Sequence, residues 1–521
     1  MLLADLLAKG FFPRELPPPF RSTDLGILTG ASVPDSWKTN SKGEYARECE
    51  LERYNHRRVG YLRRQLAFPN PILFYHLAEA IATAWPLLRK HLSHGSWSTT
   101  RPTRRGRRRR AFAARQTDDA FAVTVAKVRE TSRYILKGDI SRFYPSVYTH
   151  AIPWALHGRA TAKTNFKPMA SLGNKLDYWV RMGQSRQTVG LPIGPDTSWV
   201  VSELVLVAVE KAFRRRYSAP VRGCSLIDDY ELGFSSLPSA EEALAALEAS
   251  LNEFELSLNV KKTTIRQLPQ IIGRSWPESI STYRFRKDAK AQATDLIRFF
   301  NTVFEHAVAF PEDYVVKYAV ARLSTFDVAP QNWPLYQSLL LQCMTIEPGC
   351  LPSSERELRK QRSRGHRIDR EALSECLEVI ITTGAPLGHS AEVAWALWLA
   401  IIFDAKLGSK AAVAVSSMID SFAALTALHA ESLGIFTVPL NRSHWAVTQN
   451  SNELWRQNWL LAYEANVQKW LPTAGRSDHV KADPAFKELK TRGVRFYDSQ
   501  VVPAPVGVGR VRLNANGYPM D

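Results

Sequence analysis

Three aspartates are spaced so that they could do chemistry together. Asp139 closes the apolar stretch Tyr134-Ile-Leu-Lys-Gly-Asp139, and Asp228-Asp229 sits between two short β-type runs, residues 221–227 and 230–234. A carboxylate at the end of one strand, beside a hairpin whose turn carries two more, puts all three on one edge of a sheet. That placement suits two-metal phosphoryl transfer, in which acids from separate elements hold two divalent ions ~4 Å apart. Held for structure alone, three such acids would be buried charges without partners. The dipeptide by itself says little: Asp118-Asp119 is a second such pair, in a polar setting without flanking strands, and reads as a helix cap.

The elements needed to position these acids can be read around them. From 134 to 265 strands and helices alternate. Residues 196–217 form a long apolar helix with a basic end, Arg214-Arg-Arg216. Ser239-Ala-Glu-Glu242 has the pattern of a capping box, with Ser239 as N-cap of a helix running to Phe254, and 258–265 returns as a strand. The first 85 residues are rich in proline and aromatics (Phe11-Phe-Pro-Arg-Glu-Leu-Pro-Pro-Pro-Phe20), which predicts an extended, wrapped segment. Pro71 opens a helical pattern over 72–88, and 119–130 is a second. Beyond about 290 the pattern is helix after helix. Leu373, Cys376, Leu377, Ile380 and Ile381 share one apolar face, and 393–403 is apolar nearly all round, as in a buried helix of a stack. Trp395, Trp398, Trp455, Trp459 and Trp470 are expected in the core rather than as base-stacking platforms. The final 40 residues end in a Val/Gly/Pro-rich tail.

Bulk properties narrow the class. A chain of 521 residues, 45% hydrophobic and 23% charged, is a soluble globular protein of more than one domain. Its longest apolar run, near 394–403, falls short of the roughly 20 residues that span a bilayer. The start, Met1-Leu-Leu-Ala-Asp5, lacks the cationic region of a signal peptide. Five scattered cysteines without CxxC spacing fit a reducing cytoplasm and exclude a cysteine zinc cluster. The net charge of +18 is concentrated: ten Lys or Arg and no acid lie between Arg89 and Arg115. Arg104, Arg105, Arg107, Arg108, Arg109 and Arg110 are therefore candidates for a phosphate-rich partner, since neutralising phosphates releases condensed counterions. A basic loop without a fixed partner is the alternative.

Four segments carry a resemblance to reverse transcriptases. Asp139-Ile-Ser-Arg-Phe-Tyr-Pro-Ser-Val-Tyr-Thr-His150 resembles their motif A, Gly190-Leu-Pro-Ile-Gly-Pro-Asp-Thr-Ser198 motif B, Leu226-Ile-Asp-Asp229 motif C, and Leu258-Asn-Val-Lys-Lys-Thr263 motif D, in the family's order. Ile152-Pro-Trp-Ala-Leu-His-Gly158, Gly10-Phe-Phe-Pro-Arg-Glu-Leu-Pro-Pro18, Pro69-Asn-Pro71, Trp395-Ala-Leu-Trp398 and Trp459-Leu-Leu-Ala-Tyr-Glu-Ala465 extend the likeness to the bacterial abortive-infection and related defence-associated members, over nearly the whole chain. The resemblance implies an α+β fold: a fingers–palm domain over 1–290 (N-terminal wrap 1–85, Arg-rich loop 89–115) and a mainly α-helical, HEAT-like domain over 291–521, in the place of a thumb.

What the resemblance implies for the site is specific. Asp139, Asp228 and Asp229, with the Ile140 carbonyl, would hold two Mg2+ ions, with Mn2+ as a substitute. Lys262, beside its competitor Lys261, would protonate the pyrophosphate leaving group. Phe143, Tyr144, Ile193 and Gly194 would line the nucleotide pocket, Tyr144 as the ring that excludes a 2′-hydroxyl, with an ordinary core aromatic as its alternative. Two positions depart from the family pattern: Leu226 where an aromatic usually opens motif C, and Ile193 where motif B often has Gln. An Ile cannot hydrogen-bond a nucleotide or template, which fits relaxed or absent templating. The implied function is RNA-directed or template-independent DNA polymerisation from dNTPs in antiphage defence, with protein priming as one mode. The partners would be an RNA template or non-coding RNA and a single-stranded DNA product. A homo-oligomer is compatible, a membrane is not expected, and the setting would be a bacterial cytoplasm. The alternatives are an RNA-dependent RNA polymerase, against which Tyr144 argues, and a non-catalytic nucleic-acid scaffold.

Overall fold

The computed structural model describes the chain except at residues 31, 59, 61, 105–109, 117, 473–476, 504–511, 514–518 and 521, and describes backbone alone at 118–120, 512–513 and 519–520. A hairpin of β1 (Glu52–Arg57) and β2 (Arg63–Phe68) precedes the helix Pro71–Thr83. Asn70 caps that helix, its side chain accepting from the Leu73 N–H at 3.0 Å, with Pro71 at the first position where no N–H is needed. The single helix expected over 72–88 is two: the chain breaks at Ala84, and Trp85–Ser93 begins afresh with Pro86 in its first turn. A proline ring cannot donate into a continuous helix, so the pattern restarts there.

A minimal ladder of β3 (Pro102–Thr103) and β4 (Ala113–Ala114) closes the base of the arginine-rich stretch. The helix Asp118–Arg129 follows, so Asp118-Asp119 stands in a first helical turn, with side chains outside the described residues. Next comes the central antiparallel sheet, β5 (Tyr134–Asp139), β6 (Arg222–Leu226), β7 (Asp229–Phe234) and β8 (Thr264–Gln267), in spatial order β6-β7-β5-β8. Strand alternation sorts its faces. Leu136, Gly138, Tyr230 and Leu232 face the helices Asp196–Arg216 and Leu237–Asn252, where Leu247 would touch any Cβ added to Gly138. Ile135, Lys137, Glu231 and Gly233 look the other way, towards Asp118–Arg129, where Val125, Val128 and Cys224 form a small separate core. Arg129 seals that side on Glu231 at 2.6 Å.

Two expectations shift here. The cap of Leu237–Asn252 is Ser236, not Ser239, because Ser236 accepts from the Ser239 N–H and leaves Pro238 in the first turn. The expected strand over 258–265 is confined to β8, because a turn centred on Asn259, whose carbonyl accepts from Lys262 and Thr263, takes up its first half.

From Ala289 to Thr491 the described secondary structure is helical, with Arg370–Gly384 packed on Ser390–Phe403 and the latter on Ser421–Ser432, and the short strands Arg512–Leu513 and Pro519–Met520 pair near the end of the chain. The apolar face read at 373–381 is buried throughout, and so are Trp395, Trp398, Trp455 and Trp459. One continuous apolar core joins this region to the rest of the molecule. Phe11, Phe20, Tyr54 and Phe68 of the N-terminal segment pack against Trp459 or Phe422 of the helical region. Among the described residues no helix is long and apolar enough to cross a membrane.

Candidate active site

The three aspartates meet at one end of the central sheet. Asp139 ends β5, and its partner across β7 is Asp229. The β6–β7 register pairs Leu226 with Asp229, so Ile227-Asp228 is a two-residue turn. Such turns need positive φ, and Ile227 adopts φ 58°, a strained setting for a β-branched side chain. Backbone bonds fix the turn against its surroundings. The Ile140 N–H donates to the Asp228 carbonyl at 3.1 Å, and the Ile227 N–H donates to Thr100 Oγ1 at 3.1 Å.

Like charges crowd this edge. Asp139 and Asp229 lie directly opposite on adjacent strands, an unfavourable cross-strand pair while both are ionised. Asp229 is raised to about 7: lost hydration comes first, although the residue still reaches solvent, then the charge of Asp228 and the hydrogen bond and charge of Asp139. Asp228 is raised too, by desolvation and then by Asp139, with Lys262 and Arg64 pulling the other way. Asp139 itself is gripped by the Asn259 turn. Lys262 Nζ lies 2.8 Å from Oδ2, Asn259 Nδ2 donates to Oδ1 at 3.0 Å, and the Asn259 N–H donates to the Asp139 carbonyl at 2.7 Å.

Among the described residues no group of three or more His, Cys, Asp or Glu is gathered tightly enough to cage a metal ion. Mg2+ does not require such a cage. It takes hard oxygen donors, keeps several waters, and is held by one or two carboxylates together with substrate phosphates. Asp139, Asp228 and Asp229 offer donors of that kind at one sheet edge, so the residues fit the ion.

The four residues expected at the nucleotide pocket have separate fates. Phe143 is a correction: its ring is buried in the core, edge-on to Tyr144 at 5.5 Å, and offers no face to a nucleotide. Its place one residue before Tyr144 on a short helix turns it inward. Tyr144 is partly buried, and its hydroxyl accepts from Ser202 Oγ at 3.2 Å. Burial first, then the nearby carboxylates of Glu203, Asp228 and Asp196, raise its phenol well above the usual range. Ile193 is strapped to β2 through its carbonyl, which accepts from the Ala67 N–H at 2.9 Å. Gly194 is required for shape: at φ 137° a Cβ would lie 2.9 Å from the Phe68 ring.

The arginine run is divided. Arg105, Arg107, Arg108 and Arg109 lie outside the described residues. Arg104 lies 3.4 Å from Asp5. Arg110 corrects the expectation of a free phosphate contact, because its guanidinium is committed to structure. It pairs with Asp196, donates to the Phe12 carbonyl at 2.5 Å and donates to the Gly194 carbonyl at 2.9 Å.

Residues beyond those expected from the sequence complete the arrangement. Asn259 lies within the motif D-like segment. Less visible are Asp196, Glu203 and Glu210, three buried acids seven residues apart on one face of the Asp196–Arg216 helix. Glu210 accepts from the Ser96 and Trp97 N–H groups, Glu203 from the Ser98 and Thr100 hydroxyls, and Asp196 from Arg110, Ala111 and Phe112. Acids at heptad spacing in a strongly apolar helix are the sequence signal that would have found them.

No protein-family model matches the chain, and no curated protein matches it. Among solved structures, the apo telomerase of Candida tropicalis overlaps with a TM-score of 0.33 at 12% identity, covering 73% of this chain and 68% of that one. The same organism's telomerase in complex with a TWJ fragment of telomeric RNA overlaps with a TM-score of 0.28 at 11% identity, covering 76% of this chain and 65% of that one. Overlaps of this size carry no argument about activity.

Proposed function

We propose that this chain is a nucleotidyltransferase of the reverse transcriptase kind, joining dNTPs by phosphoryl transfer at the Asp139–Asp228–Asp229 edge. The single observation that carries the reading is the register that sets Asp139 opposite Asp229, with Asp228 in the strained turn beside them. Two Mg2+ ions, or Mn2+ in their place, would polarise the phosphoryl oxygens and lower the pKa of the attacking hydroxyl. Asp139 and Asp228 would be the principal ligands, with Asp229 and the Ile140 carbonyl as weaker ones. Lys262, 2.8 Å from Asp139, would give a proton to the departing pyrophosphate. Tyr144, with its hydroxyl tethered to Ser202, would present the ring that rejects a 2′-hydroxyl.

The sheet and its helices would be the palm, the β1–β2 hairpin part of the fingers, and the helical region a HEAT-like replacement for a thumb. An antiphage-defence setting, with synthesis on an RNA template or without one, rests on the sequence resemblance. The test is to incubate the purified full-length chain with Mg2+ and labelled dNTPs or NTPs, with and without an RNA template. Incorporation of dNTPs supports the reading, incorporation of NTPs alone turns it into an RNA polymerase, and incorporation of neither, with Mg2+ or Mn2+, leaves a scaffold.

A further inference from the structure

The turn that presents Asp228 is held from outside the sheet. Segment Trp97–Thr100 runs along the free edge of β6: Ser98 bridges Ser225 in parallel, the Thr99 N–H donates to the Ser225 carbonyl at 2.9 Å, and the Ser225 N–H donates to the Trp97 carbonyl at 2.8 Å. At its end Thr100 Oγ1 accepts from the Ile227 N–H at 3.1 Å and donates its own proton to Glu203 Oε1 at 2.8 Å. Ser98 occupies the other carboxylate oxygen at 2.8 Å. Glu203, Ser98 and Thr100 are all buried, so the two bonds to the Glu203 carboxylate are made away from water, while the Ile227 N–H bond is part-buried. Glu203 follows Ser202, which donates to the Tyr144 hydroxyl, so one helical turn touches both sides of the site.

We infer that Thr100, oriented by Glu203, is a positioning residue that holds the Ile227-Asp228 turn in its strained conformation and thereby fixes where the Asp228 carboxylate stands. The inference rests on the phosphoryl-transfer reading above for its catalytic consequence, but not for its structural one. The chemistry is one of fixed protons. A hydroxyl has one proton to donate. Glu203 accepts it, which leaves a lone pair of Thr100 aimed at the Ile227 N–H. Without that acceptor, the Asp228 carbonyl is still held by the Ile140 N–H, but the Ile227 N–H loses its partner and the positive φ of this β-branched residue loses a support, so the turn relaxes more readily. Displacements of ~1 Å at a reacting group cost on the order of 100-fold in rate.

The test compares Thr100→Val, which keeps shape but loses the hydroxyl, with Thr100→Ser, which keeps the hydroxyl. Thr100→Cys, whose thiol is a weak acceptor, gives a milder lesion if the valine variant does not fold. Two quantities are measured on folded full-length protein: amide hydrogen exchange of the peptide spanning 226–230, and the Mg2+ concentration for half-maximal dNTP incorporation alongside kcat and KM. Thr100→Val should speed exchange at the turn, lower kcat by roughly 10- to 100-fold and raise the Mg2+ midpoint several-fold, with KM for dNTP little changed. Thr100→Cys should fall between, and Thr100→Ser should restore wild-type values. Ser98→Ala, which strips the other Glu203 oxygen, should leave exchange at the turn near wild type. Unchanged exchange in Thr100→Val, or equal damage from Thr100→Ser, would overturn the inference. A wild-type chain that incorporates nothing would sink the polymerase reading while the exchange experiment still decides the link.

Discussion

Asp139 and Asp229 face one another across adjacent strands, and a third carboxylate sits one residue away in the turn. A sheet edge left to stability alone would not keep such an arrangement, since like charges directly opposite are unfavourable. The types and order of these acids were readable from the sequence because each stands at the end of an apolar run whose alternation marks a strand. Their supporting bonds were not. Asn259 holds Asp139 across 120 positions and Thr100 holds Ile227, the residue before Asp228, across 127, and no local pattern announces a contact of that range. Tyr144 shows the same limit: its spacing from Asp139 could be read, whereas the direction of its ring and its bond to Ser202 could not. Tyr144→Ala should narrow the preference for dNTPs over NTPs by roughly 10-fold or more while retaining part of the dNTP activity, because binding energy alone separates a hydrogen from a hydroxyl poorly. Tyr144→Phe should keep the preference and lose only the hydroxyl bond, about 1 kcal/mol. The check is the ratio of the two incorporation rates on folded protein. If both variants lose the two activities together with an unchanged ratio, Tyr144 is a core residue only.

At the scale of elements, the Asp196–Arg216 helix organises the site more than its apolar pattern foretold. Its three buried acids at 196, 203 and 210 clamp successive parts of one segment, from Ser96 to Phe112. The arginine run was legible as charge but not as structure, because identical residues in a row hide which of them is buried. Arg110 and its neighbours should therefore separate experimentally. Arg110→Ala leaves Asp196 as a buried carboxylate without its counter-ion and should cost about 3–5 kcal/mol in urea unfolding. Replacing Arg107, Arg108 and Arg109 with Ala should leave unfolding unchanged and flatten the salt dependence of single-strand binding by a slope of ~0.7 for each phosphate no longer neutralised. Equal destabilisation by both sets, or an unchanged salt slope in the triple variant, would contradict this division. Helix ends were the least legible elements. The cap at Ser236 and the break before Trp85-Pro86 are both set by where a proline fits.

On the scale of the whole molecule, the N-terminal segment is built into the helical region. The Arg21 N–H donates to the Phe496 carbonyl at 3.0 Å, and Phe20 bridges Tyr497. Arg63 of β2 forms a two-pronged ion pair with the buried Glu392 of the Ser390–Phe403 helix. Proline-rich sequence marked this segment as a wrap, but what it wraps depends on side chains hundreds of residues away. One carboxyl at the seam titrates in an accessible range. Glu464 is fully buried, accepts from the Phe496 N–H, and is raised to about 8, chiefly by burial. The unfolded chain loses this proton near pH ~4.3. Between there and pH 8 the folded state holds a proton the unfolded state has released, so the stabilisation is complete below ~4 and falls by up to ~1.4 kcal/mol per pH unit as pH rises through the window. Glu464→Gln, which mimics the protonated acid, should gain stability relative to wild type between pH 5 and pH 8. A difference in melting temperature that does not change with pH would show that the carboxyl is ionised throughout.

The full-length chain is also where the central claim meets its most direct test. Purified wild-type, Asp139→Ala and Asp228→Ala proteins, matched for folding by circular dichroism, are each given labelled dNTPs and Mg2+, and incorporated label is followed with time. The wild type should incorporate label, and each variant should lose it by roughly 100- to 1,000-fold, the scale on which removal of a group stabilising transition-state charge is felt. Incorporation by either variant at near the wild-type rate would contradict the assignment of phosphoryl transfer to this edge of the sheet.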